Sequence, residues 1–366
     1  MRTPYDEKEL IPCGEYFNIP GKNPSPEPLK RYSSPVTPRE NFLMALNGEE
    51  PYWLPNYFDI ETLMPACYPD AVARGFVMGG EALEYMDDNK KGGKDAFGVE
   101  WQYVPIAGGS MEKPGQPLLE DLNDWKEFVK LPDVESWDWK SSIEKNAEII
   151  KKKDHLREMW IFTGFFERII SFMEFENAAV AMIDEDQEDA LHELLDACVE
   201  VYKKIAKHYK EDFDCDVLYV HDDWGSQKAP FFSNEACMEK IVPHIRELSD
   251  YCHSIGMKYE MHSCGCTQSM TDCYLAAGID MWGPQQQNDV DYIIEKMQGK
   301  VIIGVWGESD SADSDEVAYE KGTKLADKYM KDYPKHPVYY CDLFDIHPKY
   351  REATYVESRK IAGGQK

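Results

Sequence analysis

Tyr259-Glu-Met-His262-Ser-Cys264-Gly-Cys266 is an apolar run that ends abruptly in metal-binding side chains. On a strand, side chains two apart share a side, so His262 and Cys264 point the same way. A thiolate beside an imidazole suits zinc better than a hard cation. The third candidate ligand is Cys341, in Pro337-Val-Tyr-Tyr-Cys341-Asp342, again at the close of an apolar run. Three such ligands leave a fourth position for water or substrate, as catalytic zinc sites do. The competing role for these thiols is that of small buried hydrophobes. Cys266, two residues further on, falls on the loop past the strand.

Outward from this stretch, strand-like runs alternate with amphipathic segments. The runs are Tyr52-Phe58, Phe97-Val104, Met159-Thr163, Val217-His221, Lys258-His262, Met281-Gly283, Val301-Val305 and Val338-Cys341. Helical periodicity marks 186–209, through Leu191, Leu194, Leu195, Cys198, Val199, Tyr202 and Ile205, and recurs over 234–254, 290–297 and 316–330. Eight strands with intervening helices predict an α/β fold, a (β/α)8 TIM barrel, with a doubly wound open sheet as the alternative. Thr37-Pro38-Arg39-Glu40 opens the first helix as a capping box with proline at the first position. Residues 1–37, with Pro4, Pro12, Pro20, Pro24, Pro26, Pro28 and Pro35, read as an irregular arm, and 38–366 as one barrel domain.

The last five strands end in His221-Asp222-Asp223-Trp224, His262-Ser-Cys264, Gly283-Pro-Gln285, Trp306-Gly-Glu308 and Cys341-Asp342-Leu343. Barrel enzymes assemble their sites at C-terminal strand ends, and the regular placement of polar groups there points to an enzyme. Asp222 and Asp223 adjoin, so one faces inward as an acid, base or orienting group, while the other is free to cap a helix. Asp223, Glu308 and His221 are the catalytic candidates. Tyr57, Gln285 and Trp306 are the substrate-side candidates. Trp53, Phe58, Trp101, Phe165 and Phe166 join Tyr57 and Trp306 in an aromatic set that lines a flat pocket or fills the core.

Composition excludes other classes. Forty Lys and Arg against 68 Asp and Glu give a net charge of −28 over 366 residues. Such a surface repels phosphate backbones and anionic lipids, so neither nucleic acid nor membrane is an expected partner. No signal-like segment or membrane-length apolar run occurs, and the ten cysteines lack the density of a secreted disulfide framework. A reducing cytoplasm is the expected compartment.

Several of these residues also carry a resemblance. Val220-His-Asp222-Asp223-Trp-Gly225-Ser-Gln227, Phe232-Ser233, Ile241-Val-Pro243, His253-Ser-Ile-Gly256, His262-Ser-Cys264-Gly265 and Pro284-Gln285 resemble the uroporphyrinogen decarboxylase superfamily. The likeness runs from about Thr37 to the C-terminus and implies a (β/α)8 barrel. The decarboxylase needs an arginine-rich segment near its first strand, whereas Pro55-Asn56-Tyr57-Phe58-Asp59 contains none. The His-x-Cys pair with a distant cysteine is instead similar to the methyltransferase branch, in which His262, Cys264 and Cys341 match the zinc ligands. That branch moves methyl groups to or from the cobalt of a corrinoid protein.

Glu185, Glu200 and His221 also fit a Glu-x14-Glu-x20-His spacing associated with corrinoid-dependent aryl-ether O-demethylases of the veratrol or vanillate type. Fifteen helical residues span about 22 Å, so Glu185 and Glu200 cannot share a metal on one straight helix. The expectation is therefore a zinc-dependent methyltransferase that takes methyl from a methoxylated aromatic and delivers it to cob(I)amide. The corrinoid resides on a partner protein, because no Asp-x-His-x-x-Gly stretch occurs here. Transfer from methyl-corrinoid to a thiol is the alternative, and decarboxylation of a uroporphyrinogen-type substrate ranks behind both.

Overall fold

The computed structural model describes residues 2–15, 29–106, 108–333, 335–342 and 345–365. Pro20, Pro24, Pro26, Pro28 and Leu343 lie outside them. In chain order the strands are β1 (Pro12–Glu15), β2 (Lys30–Tyr32), β3 (Ile60–Leu63), β4 (Gly93–Lys94), β5 (Glu100–Val104), β6 (Gly109–Glu112), β7 (Leu156–Ile161), β8 (Val217–His221), β9 (Lys258–Ser263), β10 (Met281–Pro284), β11 (Ile302–Val305) and β12 (Val338–Tyr340). Two compact units are interleaved along the chain. One comprises Met1–Glu61, Lys152–Arg157 and Asp280–Lys366, the other Thr62–Lys151 and Glu158–Ile279.

In the second unit β7 pairs in parallel with β8, and β8 with β9. In the first, β10 pairs in parallel with β11, and β11 with β12. Helices follow these strands: Phe165–Ala181 and Glu188–Phe213 after β7, Asn234–Lys240 and Val242–Ser254 after β8, Thr271–Ala276 after β9, Val290–Met297 after β10, Asp315–Met330 after β11, and Pro348–Ala362 after β12. With β3 they make a sequence-ordered set of seven, the α/β, TIM-barrel-like class.

Local chemistry explains the elements. Helix Pro38–Leu46 starts on the expected capping box, with Thr37 N–H donating to Glu40 Oε2 at 2.8 Å and Glu40 N–H to Thr37 Oγ1 at 3.1 Å. Helix Glu188–Phe213 buries Leu191, Leu194, Leu195, Cys198, Val199, Tyr202 and Ile205, the stripe its periodicity predicts. It stops where Asp214 turns left-handed at φ 55°. The expected helix over 234–254 is instead two, broken at Ile241, because Pro243 cannot donate within the turn that would join them.

Two expected barrel strands are corrected. Tyr52-Phe58 is not a strand: Pro51 and Pro55 withhold donors, and Asn56 Oδ1 accepts from Phe58 N–H to cap a 3-10 turn over Tyr57–Asp59. The strand begins after that turn, and every residue of β3 is buried. Phe97-Val104 yields β5, which pairs antiparallel with β4 and β6 in a separate sheet. Its partly exposed pattern belongs to an antiparallel sheet open to solvent on one face, whereas β11 is buried throughout. Among the described residues no helix is long and apolar enough to cross a membrane.

Candidate metal centre

The centre is built by register. His221 and His262 stand opposite each other on the parallel strands β8 and β9. Their rings lie 5.3 Å apart. A two-residue period then carries Asp223 beyond His221 and Cys264 beyond His262. The four side chains bring one ligand atom each to within 4.8 Å of all the others. Cys264 Sγ is 3.5 Å from His262 Nε2 and 4.0 Å from His221 Nε2, and His221 Nε2 is 3.6 Å from Asp223 Oδ1.

Main-chain packing holds the two strand ends together. Cys264 N–H donates to Asp223 Oδ1 at 2.6 Å, and Cys266 N–H to the Ser226 carbonyl at 2.8 Å. Gly265 has φ +91°, and a Cβ there would meet the Gly225 carbonyl oxygen at 2.1 Å. Only glycine serves at this crossing.

Asp222, between the two inward residues, faces the other way. Its carboxylate accepts from Phe165, Phe166 and Glu167 N–H at 3.0, 3.2 and 2.8 Å, capping helix Phe165–Ala181, and from Trp224 Nε1 at 3.0 Å. Gly164 admits it: a Cβ at 164 would lie 2.3 Å from Asp222 Cβ. Burial, with the nearby Glu167 charge, pushes the Asp222 carboxyl up to about 7. Asp222 is thus the helix cap and Asp223 the inward group.

The capped helix returns Glu167 to the site, where its Oε2 lies 2.8 Å from His221 Nδ1. Burial by itself depresses an imidazole, yet the Glu167 and Asp223 carboxylates outweigh it and hold His221 well above its ordinary range. Burial likewise opposes ionisation of Asp223, but the His221 charge and the Cys264 N–H keep its carboxyl below the usual value. Burial raises the Cys264 thiol. Nearly parallel rings flank the ligands: Phe162 stacks on His221 at 5.1 Å, Tyr219 on His262 at 6.2 Å, and Trp160 on Tyr219 at 4.4 Å. Sequence reasoning missed Glu167. Its signal was Gly164-Phe-Phe-Glu167, a helix start directly after a strand.

The remaining candidates are placed as follows. Glu185 and Glu200 are exposed, Glu200 paired with Lys203 at 2.7 Å, so of that spacing only His221 enters the cluster. Cys341, Tyr57, Gln285, Trp306 and Glu308 belong to the other unit. There Cys341 Sγ donates to the Val305 carbonyl at 3.2 Å. Tyr57 is half-buried in its 3-10 turn, and Gln285 accepts from Gln287 Nε2 at 2.8 Å. Trp306 Nε1 donates to the Pro284 carbonyl at 2.9 Å. Trp306 and Glu308 line a cavity of about 190 Å³ with Lys321, Lys328, Tyr329 and Tyr350.

No known protein-family model matches the chain, and no curated protein matches it in sequence. Among solved structures it is similar to a methyltransferase from Methanosarcina mazei, at 13% identity and a TM-score of 0.57, over 88% of this chain and 98% of that one. A family 10 endo-β-1,4-xylanase from Gloeophyllum trabeum is matched at 11% identity and a TM-score of 0.34, over 59% of this chain and 78% of that one. At such identities the first likeness shows the fold alone, and the second carries no argument.

Proposed function

We propose that this chain is a zinc-dependent methyltransferase that takes the methyl group of a methoxylated aromatic and delivers it to the cob(I)amide of a partner corrinoid protein. The observation that carries the reading is the cluster of His221, Asp223, His262 and Cys264 at two neighbouring strand ends. The likeness to a structure named as a methyltransferase supports the class.

The donors fit zinc. Bonds of about 2.3 Å to sulfur and about 2.0 Å to nitrogen at tetrahedral angles separate the two atoms by about 3.5 Å. The Cys264–His262 and Cys264–His221 distances of 3.5 and 4.0 Å sit close to that. One thiolate and one carboxylate cancel the charge of the ion, as two thiolates would. Bound there, zinc supplies polarisation of an ether oxygen, which even a neutral centre provides in a dry pocket.

In this reading His221, His262 and Cys264 would hold the ion, and the ionised Asp223 would stand at the remaining position as the carboxylate that completes its charge balance. The partner's corrinoid would supply the cobalt nucleophile that takes the methyl group, and the aryl oxygen would leave as phenolate. Trp160 and Tyr219, half-buried beside the ligands, are the rings proposed to pack against an aryl group, while Phe162 is already covered by His221 and Phe76. Tyr57, Gln285, Trp306 and Glu308 remain proposed substrate-binding groups and Cys341 a proposed zinc ligand, each to be decided by substitution.

The test mixes the zinc-loaded chain with reduced corrinoid protein or free cob(I)alamin and a panel of methoxybenzenes, and follows methyl-cobalt absorbance. Its appearance with an aryl ether and its loss on chelation are expected. If no aryl ether produces it while methylcobalamin is consumed with a thiol, the transfer runs in the other direction. If neither reaction occurs with zinc bound, the methyltransferase reading is wrong.

A further inference from the structure

We infer that Glu167 is a positioning residue that fixes the His221 ring, keeping its Nδ1 proton so that Nε2 is the nitrogen presented to the metal. This rests on the metal-centre reading above. Three observations converge on it. Glu167 Oε2 lies 2.8 Å from His221 Nδ1, the geometry of a charge-assisted hydrogen bond. The opposite nitrogen, Nε2, is the one facing Asp223 Oδ1 at 3.6 Å and Cys264 Sγ at 4.0 Å. A metal-binding histidine whose other nitrogen donates to a carboxylate is held in one tautomer and one orientation, and its basicity rises.

Glu167 is itself fixed from two sides. Its N–H donates to Asp222 Oδ1 at 2.8 Å, so the residue following His221 anchors the residue that orients His221. On the other side Arg74 Nη2 stands 3.5 Å from Glu167 Oε1, while Arg74 Nη1 donates to Thr163 Oγ1 at 3.1 Å. The Arg74 guanidinium lies over the rings of Trp101, at 4.3 Å, and Phe162, at 4.7 Å, and Phe162 in turn stacks on His221. The first turn of helix Phe165–Ala181 also favours negative charge at its N-terminus, where Asp222 and Glu167 converge. Loop closure from β7 to this helix therefore places the carboxylate and shields the ring in one step.

The cap uses the Glu167 backbone, so Glu167→Ala leaves Asp222 with its three N–H partners. Glu167→Gln keeps an oxygen that accepts from Nδ1. Two readouts separate the positioning role from the metal reading. In metal-free protein with 15N-labelled histidine, an exchange-protected Nδ1–H signal of His221, identified by its loss in His221→Gln, is expected in the wild type and in Glu167→Gln. It disappears in Glu167→Ala. Competition with a chromophoric chelator is expected to show zinc bound roughly 10–100-fold more weakly by Glu167→Ala, with most of the loss recovered in Glu167→Gln.

An unprotected Nδ1–H in the wild type overturns the inference, as does zinc affinity in Glu167→Ala within twofold of the wild type. A protected, Glu167-dependent Nδ1–H in a wild-type chain that takes up no zinc leaves the positioning standing and refutes the metal centre. If Glu167→Ala melts before it can be measured, Glu167→Gln decides: loss of its protected signal overturns the inference, and retention supports it.

Discussion

The ends of β8 and β9 and the ends of β11 and β12 carry the same kinds of residue and use them differently. At the ends of β8 and β9, His221, Asp223, His262 and Cys264 turn toward one another. Beyond β11 and β12, Asp342 accepts from Gly307 N–H with both oxygens at 3.0 Å and from Tyr350 hydroxyl at 3.4 Å, and Cys341 donates to a strand carbonyl. One pair of strand ends gathers ligand-type atoms, and the other spends polar atoms on closing the main chain. The residue type at a strand end therefore tells less than whether the backbone beside it already has its partners.

The largest effect breaks or confirms that contrast directly. His262→Ala and Cys264→Ser are each expected to weaken zinc binding by about a thousandfold or more, on the order of 4 kcal/mol, measured as zinc per chain and by chelator competition. Asp223→Asn is expected to lower zinc more than Cys341→Ser does. The opposite order would assign the ion to His262, Cys264 and Cys341. Glu200→Gln is expected to retain full zinc.

Next comes pH. Burial pushes the Asp59 carboxyl up to about 7, while its Oδ2 accepts from Trp53 Nε1 and Asn56 Nδ2 at 2.9 Å each. The folded chain then keeps this proton over a range in which the unfolded chain has released it. Its contribution is complete below about pH 4 and is lost as pH rises toward 7, by up to about 4 kcal/mol. Urea unfolding from pH 4 to 8 is expected to show a steeper fall in the wild type than in Asp59→Asn, the difference being this proton, because the raised Asp222 and Asp342 carboxyls add to the slope in both. An equal slope in both would show that Asp59 is ionised in the fold like Asp223.

Smaller still are the two capping carboxylates. Asp222→Ala strands three helix N–H groups and the Trp224 indole and is expected to cost about 3 kcal/mol. Asp342→Ala strands Gly307 N–H and is expected to cost about 1 kcal/mol. Chemical denaturation of metal-free protein measures both, and equal losses would erase the distinction between the two regions.

The sequence was most legible where pattern and packing agree. β8 and β9, the helix Glu188–Phe213 and the Thr37 capping box all announce themselves by period or by paired side chains. β3 was misplaced because Trp53, Leu54 and Phe58 are as apolar as any strand, while the prolines around them outweigh that signal. β5 imitated a barrel strand because β-rich composition does not say which sheet a strand joins. His262 and Cys264 were readable from a two-residue spacing, and His221 and Asp223 as chemically able groups at a strand end. Their meeting depended on the register of β8 against β9, which no single segment encodes. Glu167 was hidden for a related reason, since a carboxylate near a helix start looks like ordinary dipole compensation until its partner is known.

The alternation at 221–223 has a genetic consequence. Two inward residues enclose one outward cap, so inserting or deleting a single codon there would exchange their faces, putting a cap carboxylate into the centre and a ligand against the helix. Length variation at this point is open only to two-residue steps or to changes matched beyond the strand end. At these three codons descendants of this chain inherit a phase.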